Sequence, residues 1–140
     1  MLGYWRRPHE QADVMRGEWF LGGDLAAMDA DGYVFHRGRA NDVIKALGYR
    51  ISPLEVESVL GLHPDVAEVA CAELKVRDGV SVVGAFVVAK PGAPCDAEPV
   101  LAFARERLAA YKCPRSVTFV DTLPRTANGK IKRSALTGGA

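Results

Sequence analysis

The segment Pro124-Arg125-Thr126-Ala127-Asn128-Gly129-Lys130-Ile131-Lys132 sets a lysine at the tip of an Asn-Gly turn, behind an apolar, strand-like run. Asn and Gly both tolerate positive φ, so the pair favours a tight turn. Such a turn can hold one ammonium group out from the body of a domain. A mobile cation there suits chemistry that brings a carboxylate and a phosphate together. The alternative is an ordinary solvated lysine, and this segment alone leaves both open. Further candidates stand upstream: Asp24 after Gly22-Gly23, Arg39 in Gly38-Arg39-Ala40-Asn41-Asp42, then Lys45, Gly48-Tyr49-Arg50-Ile51 and Glu55. Taken singly, Asp24 reads equally as a turn acid capping backbone amides, and Arg39 as half of a surface ion pair. Lys45 reads as a solvated strand residue and Glu55 as part of a capping box. His9, His36 and His63 lack metal-ligand spacing, so no metal site is expected in this chain.

The elements that must position these residues follow from periodicity and turn chemistry. Met1 to about Arg16 mixes aromatics and Arg without a sustained period, with a short helix expected over Glu10–Met15. Tyr4 and Trp5 look like residues that pack on something outside this chain, so this stretch reads as a domain tail or linker. Trp19–Ala26 and Tyr33–Arg37 flank an Asp-Gly turn at Asp31-Gly32 and predict a β-hairpin. Gly38 and Gly48 bracket a loop or second hairpin whose backbone can approach a ligand. Ser52, Pro53 and Glu55 predict a helix start, with Leu54, Val56, Val59 and Leu60 supplying its buried face. Val66–Leu74 and Val80–Ala89 are β-branched-rich strands joined by a turn at Arg77-Asp78-Gly79, and Ser116–Val120 is a third strand. Pro99–Leu108 is amphipathic, and Lys132–Leu136 could add a last helical turn. From Asn41 onward the expectation is therefore a small α+β domain, a three-stranded sheet with flanking helices.

Composition excludes several classes. A hydrophobic fraction of 49% and a charged fraction of 25% suit a soluble globular domain of 140 residues. The formal net charge of +1, with basic residues spread along the chain, gives no electrostatic footprint for nucleic acid or a membrane surface. No apolar run reaches bilayer-spanning length, and the start Met-Leu-Gly-Tyr-Trp-Arg-Arg is not a signal peptide. Cys71, Cys95 and Cys113 form no CxxC pair, and Cys71 lies in an apolar run as a small core residue. A reducing, cytoplasmic setting is expected.

The order Gly22-Gly23-Asp24, Gly38-Arg39-Ala40-Asn41-Asp42, Lys45 with Gly48-Tyr49-Arg50-Ile51 and Glu55, then Asn128-Gly129-Lys130, resembles the C-terminal part of the adenylate-forming enzymes. That superfamily includes acyl-CoA synthetases, adenylation domains and firefly luciferase. The resemblance runs from about Gly3 to Leu136. It implies that residues 1–40 are the tail of a large N-terminal domain, with the ribose-binding motif, the hairpin and the approach to a hinge. Residues 41–140 would then be the mobile C-terminal lid.

The resemblance also implies residue roles. Asp24 matches the acid that binds the ATP ribose hydroxyls, and Arg39 the arginine that contacts the same nucleotide. Asn41 falls at the hinge. Lys130 matches the lysine that contacts the acid's carboxylate and the α-phosphate. Lys45 and Gly48 belong to the face presented in the thioester-forming state, with Gly48 lining the pantetheine tunnel. Two positions depart from the family pattern: Gly22 stands where Thr or Ser is usual, and Asn41 where Asp or Lys is more frequent.

The implied reaction has two steps: a carboxylic acid attacks the α-phosphate of ATP to give acyl-adenylate and pyrophosphate, and CoA then takes the acyl group as a thioester. ATP and CoA are thus expected ligands, as is Mg2+ with its ligands outside this chain. The large N-terminal domain of the same enzyme is the expected partner, and the isolated chain is expected to lack ligase activity. The ending Thr137-Gly138-Gly139-Ala140, with no carrier domain after it, favours free CoA as acceptor. Ala110-Tyr111-Lys112-Cys113-Pro114-Arg115 resembles synthetases for benzoate-like and medium-chain acids. A lysine acetyltransferase acting on Lys130 is a further expected partner, since acetylation removes the needed charge. The rival from a different class is a stand-alone α+β module that binds nucleotide or protein without catalysis.

Overall fold

The computed structural model describes residues 3–137; Met1, Leu2 and the ending Gly138-Gly139-Ala140 lie outside the described residues. The chain divides into two compact units, Met1–Asn41 and Asp42–Ala140.

The first unit holds α1 (Pro8–Val14), the short pair β1 (Met15–Arg16) and β2 (Trp19–Phe20), and the hairpin β3 (Asp24–Met28) with β4 (Val34–Arg39). The strand expected to run from Trp19 to Ala26 is broken at Gly22-Gly23, where Gly23 takes a φ of 73° that an L side chain adopts only at a cost. Asp29 shapes the β3–β4 turn, its Oδ1 accepting the amides of Asp31 and Tyr33 at 3.0 and 2.9 Å. None of the described large apolar side chains of this unit belongs to a buried core: Trp5 is 84% exposed and Trp19 79%, and Met28, Tyr33 and Val34 also face outward.

The second unit contains β5 (Ile44–Ala46), β6 (Tyr49–Ile51), α2 (Pro53–Leu60), β7 (Val66–Arg77), β8 (Val80–Ala89), α3 (Ala97–Arg107) and β9 (Ser116–Phe119). β7 and β8 form a long antiparallel hairpin, and β9 joins β8 in parallel, giving the order β7-β8-β9. A parallel neighbour needs a crossover, which α3 supplies. The expected small α+β fold is present. Asp96 caps α3, its side chain accepting the Glu98 amide at 3.1 Å, so the helix starts earlier than its apolar period suggested. The capping box read at Ser52 and Glu55 does not form. Pro53 starts α2, but the Ser52 side chain makes no cap bond, and Glu55 accepts the Lys112 ammonium instead at 2.5 Å.

Alternation along β7 and β8 gives the sheet two apolar faces. Val83, Ala85, Val87 and Cys71 pack under α2 and α3 with Val56, Leu60, Val100 and Ala104, and Ile44 and Ile51 of the β5–β6 hairpin complete this cluster. Ala70, Ala72 and Phe86 face the other way. They are covered by the C-terminal segment, with Leu123, Ile131 and Leu136 packed on them. That segment ends in a 3-10 turn, Arg133–Ala135, at the place where a last helical turn was expected.

Candidate functional site

In the first unit, Asp24 and Arg39 are register partners across β3 and β4. Arg39 Nε donates to Asp24 Oδ1 at 2.9 Å, and its Nη1 donates to the Gly22 carbonyl at 2.8 Å. His36 Nε2 lies 3.3 Å from the same Oδ1. Residues three apart on a regular strand face opposite sides, yet His36 and Arg39 reach one oxygen. A register shift between Leu25 and Ala26 explains this: Leu25 pairs with Gly38 and Ala26 with His36, so the strand gains a residue at Arg37. The surface ion pair left open for Arg39 is therefore formed, and its partner is Asp24. His36, read from the sequence only as lacking metal-ligand spacing, joins them. Its signal was the Gly38 that relieves the bulge, at a φ of 112°. Asn41 lies in the 3-10 turn Ala40–Asp42, exposed, as the last residue of the first unit.

In the second unit, Lys45 and Gly48 come together in one groove. β5 and β6 pair Ala46 with Tyr49 across a two-residue turn, Leu47-Gly48, with φ of 50° and 84°. Positive φ at both central residues is the turn geometry that ordinarily selects Asn-Gly. Leucine in that position is a backbone outlier, and such outliers gather at functional sites. Leu47 was not singled out by sequence reasoning; the Leu-Gly pair between two short strands was the available signal. The groove of about 740 Å³ beside this turn is lined by Lys45, Arg50, Lys75 and Arg77 on the basic side, with Glu73 and Asp78 as its acids. It is net positive and suits an anionic ligand. The Lys45 amide donates to Glu73 Oε2 at 3.1 Å, and the Leu47 amide to the Ser81 carbonyl at 3.2 Å, fixing the turn against β7 and β8. Tyr49 stacks on Tyr111 with ring centroids 4.4 Å apart. Next to it, the hydrogen bond to Glu55 raises the Lys112 ammonium above its ordinary pKa. The α3–β9 connection is thereby braced against β6 and α2.

Lys130 does not line that groove, and it is not at the tip of its turn. The Gly129 amide donates to the Thr126 carbonyl at 2.9 Å, the Thr126 amide to the Lys130 carbonyl at 2.8 Å, and Arg125 bridges Ile131. The turn residues are thus Ala127 and Asn128, with Gly129 alone at positive φ, 79°, in the manner of a three-residue hairpin loop closed by a glycine bulge. Lys130 begins the returning arm. Its backbone is held twice, since its amide also donates to Thr126 Oγ1 at 3.2 Å. Arg125 clamps the loop by donating to the Gly129 carbonyl at 2.8 Å and pairing with Glu68 on β7. The Lys130 side chain is exposed, and no carboxylate among the described residues pairs with it.

Cys71 is a buried core residue whose thiol is pushed far up from its ordinary pKa, first by burial and then by the Glu57 carboxylate, so it is no nucleophile. No group of three His, Cys, Asp or Glu among the described residues is placed to hold a metal ion. No described helix is long and apolar enough to cross a membrane.

Comparison with known proteins sets these geometries in a lineage. The model of the AMP-binding enzyme C-terminal domain matches residues 55–130. The chain is 44% identical over 136 residues to the long-chain-fatty-acid–CoA ligase of Bacillus subtilis, covering 97% of this chain and 24% of that protein. It is 43% identical over 134 residues to the 2-succinylbenzoate–CoA ligase of Geobacillus kaustophilus, covering 96% of this chain and 27% of the relative. Among solved structures, the o-succinylbenzoate CoA synthetase of Bacillus subtilis, in complex with an acyl-adenylate intermediate, superposes with a TM-score of 0.90 at 33% identity. That match spans 100% of this chain and 28% of the other. The chain therefore spans about a quarter of the length of the relatives it matches.

Proposed function

The chain belongs to the AMP-binding enzyme C-terminal domain family, and from that premise we propose that it serves as the catalytic lid of an ATP-dependent acyl- or aryl-CoA synthetase. The observation that carries this is the mounting of Lys130: an exposed ammonium group without a carboxylate partner among the described residues, on a hairpin whose backbone is tightly fixed. A surface lysine needs no such mount; a lysine that must meet a carboxylate and an α-phosphate in one geometry does.

In the first step Lys130 bridges the acid's carboxylate and the α-phosphate, offsetting their repulsion while the carboxylate oxygen attacks phosphorus and pyrophosphate leaves. Asp24 accepts the ribose hydroxyls of ATP, with Arg39 and His36 holding its carboxylate in place. In the second step the lid, residues 41–140, turns about Asn41 relative to the large N-terminal domain to which residues 1–40 belong. Lys130 withdraws and the Leu47-Gly48 turn arrives. Gly48 leaves room for the pantetheine arm, and the basic groove with Lys45 receives the anionic end of CoA. The CoA thiol then attacks the acyl carbonyl and AMP leaves. One site runs two chemistries by exchanging the face of a lid. CoA is the acceptor, and benzoate-like or medium-chain acids are the substrates to try first. Mg2+, expected with ATP, would be held by ligands of the large N-terminal domain and by the nucleotide's phosphates, and no step here runs through it. The exposed Lys130 is open to a lysine acetyltransferase, which would remove the charge the first step needs. The unpaired cysteines fit a cytoplasmic enzyme.

The apolar side chains exposed on the first unit speak against a stand-alone module, because so much unburied Trp, Met and Tyr surface calls for a partner. In a full-length ligase carrying this chain as its C-terminal part, Lys130→Ala should lower acyl-adenylate formation, read by pyrophosphate release, on the order of a hundred-fold or more. Thioester formation from supplied acyl-adenylate should change little. Equal loss in both half-reactions would overturn the assignment.

A further inference from the structure

Arg133 is the most enclosed guanidinium among the ion pairs of the second unit, and the mechanism above makes no use of it. Its side chain is 16% exposed. Nη2 donates to both Glu57 oxygens, at 2.9 and 2.8 Å, and Nη1 donates to Asp42 Oδ2 at 3.1 Å. Glu57, on α2 and 11% exposed, also accepts the Cys71 amide of β7 at 2.7 Å. Arg133 Nε is buried without a hydrogen-bond partner. An orphaned buried N–H is costly, so the arginine is held in this place for what its two terminal nitrogens reach.

What they reach is informative. Asp42 is the first residue of the second unit, next to Asn41. Glu57 is the middle of the helix that underlies the sheet. Arg133 itself follows Lys130 by three residues, and the intervening chain has little freedom. Ile131 packs on the second face of the sheet, and the Lys132 amide donates to the Pro124 carbonyl at 2.8 Å. A single guanidinium thus connects the start of the unit, its first helix and the arm that carries Lys130.

We propose, resting on the functional assignment above, that Arg133 is a positioning residue: it ties the Lys130 arm to the pivot at Asn41-Asp42, so that rotation there delivers the ammonium group to a fixed place. The two contacts divide the work. The fork to buried Glu57 holds the arm on the domain, and the single bond to Asp42, 37% exposed, sets it relative to the pivot. Arg125, on the other arm, pairs with Glu68 at the surface and orients only the loop.

The test uses the same full-length ligase and its two half-reactions. Arg133→Met should lower acyl-adenylate formation about a hundred-fold, the loss that a misplacement of about 1 Å produces, while thioester formation from supplied acyl-adenylate is retained. Asp42→Asn keeps the Glu57 fork and therefore the fold, and should shift the same half-reaction by a smaller factor. Arg133→Lys should restore charge without the fork and recover only part of the loss. Combining Arg133→Met with Lys130→Ala should be no slower than Lys130→Ala alone, since an arginine that acts through the lysine has nothing left to place. A fall in both half-reactions by one factor, additive effects in the double variant, or an inert Asp42→Asn would each overturn the proposal. A Lys130→Ala enzyme that loses both half-reactions equally would strike the functional assignment itself, which separates the two failures.

Discussion

At position 47 the chain puts leucine where the backbone geometry asks for asparagine or glycine. Its φ of 50° places a branched side chain in the left-handed region, which costs an L residue about 1–2 kcal/mol. Natural sequences keep such a residue when its side chain is used, and here it lines the basic groove. Leu47→Asn should therefore raise the stability of the second unit by roughly 1 kcal/mol, seen as a higher urea midpoint. In a full-length ligase carrying this chain, the function proposed above predicts that the same change slows thioester formation while sparing adenylation. A variant both destabilised and fully active would mean that the turn carries no functional strain. Lys130 teaches the complementary lesson: its Asn-Gly neighbours do make a turn, but only Gly129 takes positive φ. Lys130 thus sits on a paired arm and not at a free tip, which gives the lysine direction as well as reach.

At the scale of elements, the sheet is notable for having no solvated face. One face lies under α2 and α3. The other, with Ala70, Ala72 and Phe86, is closed by an irregular segment that contributes Leu123, Ile131 and Leu136. The hairpin bearing Lys130 is therefore part of a core layer, which is why a loop can hold an exposed ammonium group in a fixed place. Gly84 in β8 marks how close this layer sits: a Cβ there would lie 2.2 Å from Leu74 Cδ1. Gly84→Ala should cost about 1–3 kcal/mol through overpacking. In urea unfolding the midpoint should fall with the slope unchanged. Adding Leu74→Ala should recover part of the loss by removing the clash. If Gly84→Ala proves neutral, the second face is looser than its packing indicates.

For the whole molecule, the two units have unequal means of standing alone. The second buries Ile44, Ile51, Val56, Leu60, Val83, Val87 and Val100 almost completely, whereas the first exposes its aromatic and branched residues. A polypeptide of residues 42–140 should unfold cooperatively, with hydrogen-exchange protection in β7 and β8 like that of the intact chain. A peptide of residues 1–41 should show no cooperative transition by circular dichroism. A cooperative transition in that peptide would remove the physical ground for assigning it to a larger domain.

Much of this was legible from residue types alone. β-branched runs bounded by turn residues marked the three strands of the main sheet, and β8 occupies the run read for it. Pro53 marked the start of α2, and the ordered set of Asp24, Arg39, Lys45, Gly48 and Lys130 pointed to the family to which the chain belongs. These signals are local: turn chemistry, alternation and spacing act between neighbours along the chain. The rest depends on distant residues that only folding brings together. Glu55 bonds Lys112 across 57 positions, Arg133 reaches Asp42 across 91 and Glu57 across 76, and a bulge turns His36 toward Asp24. No local pattern encodes which carboxylate a given arginine will meet, because that choice is set by burial and by the register of packed elements. The sequence by itself determined the strands of the main sheet and the family; only the tertiary structure decided what holds Lys130 in place.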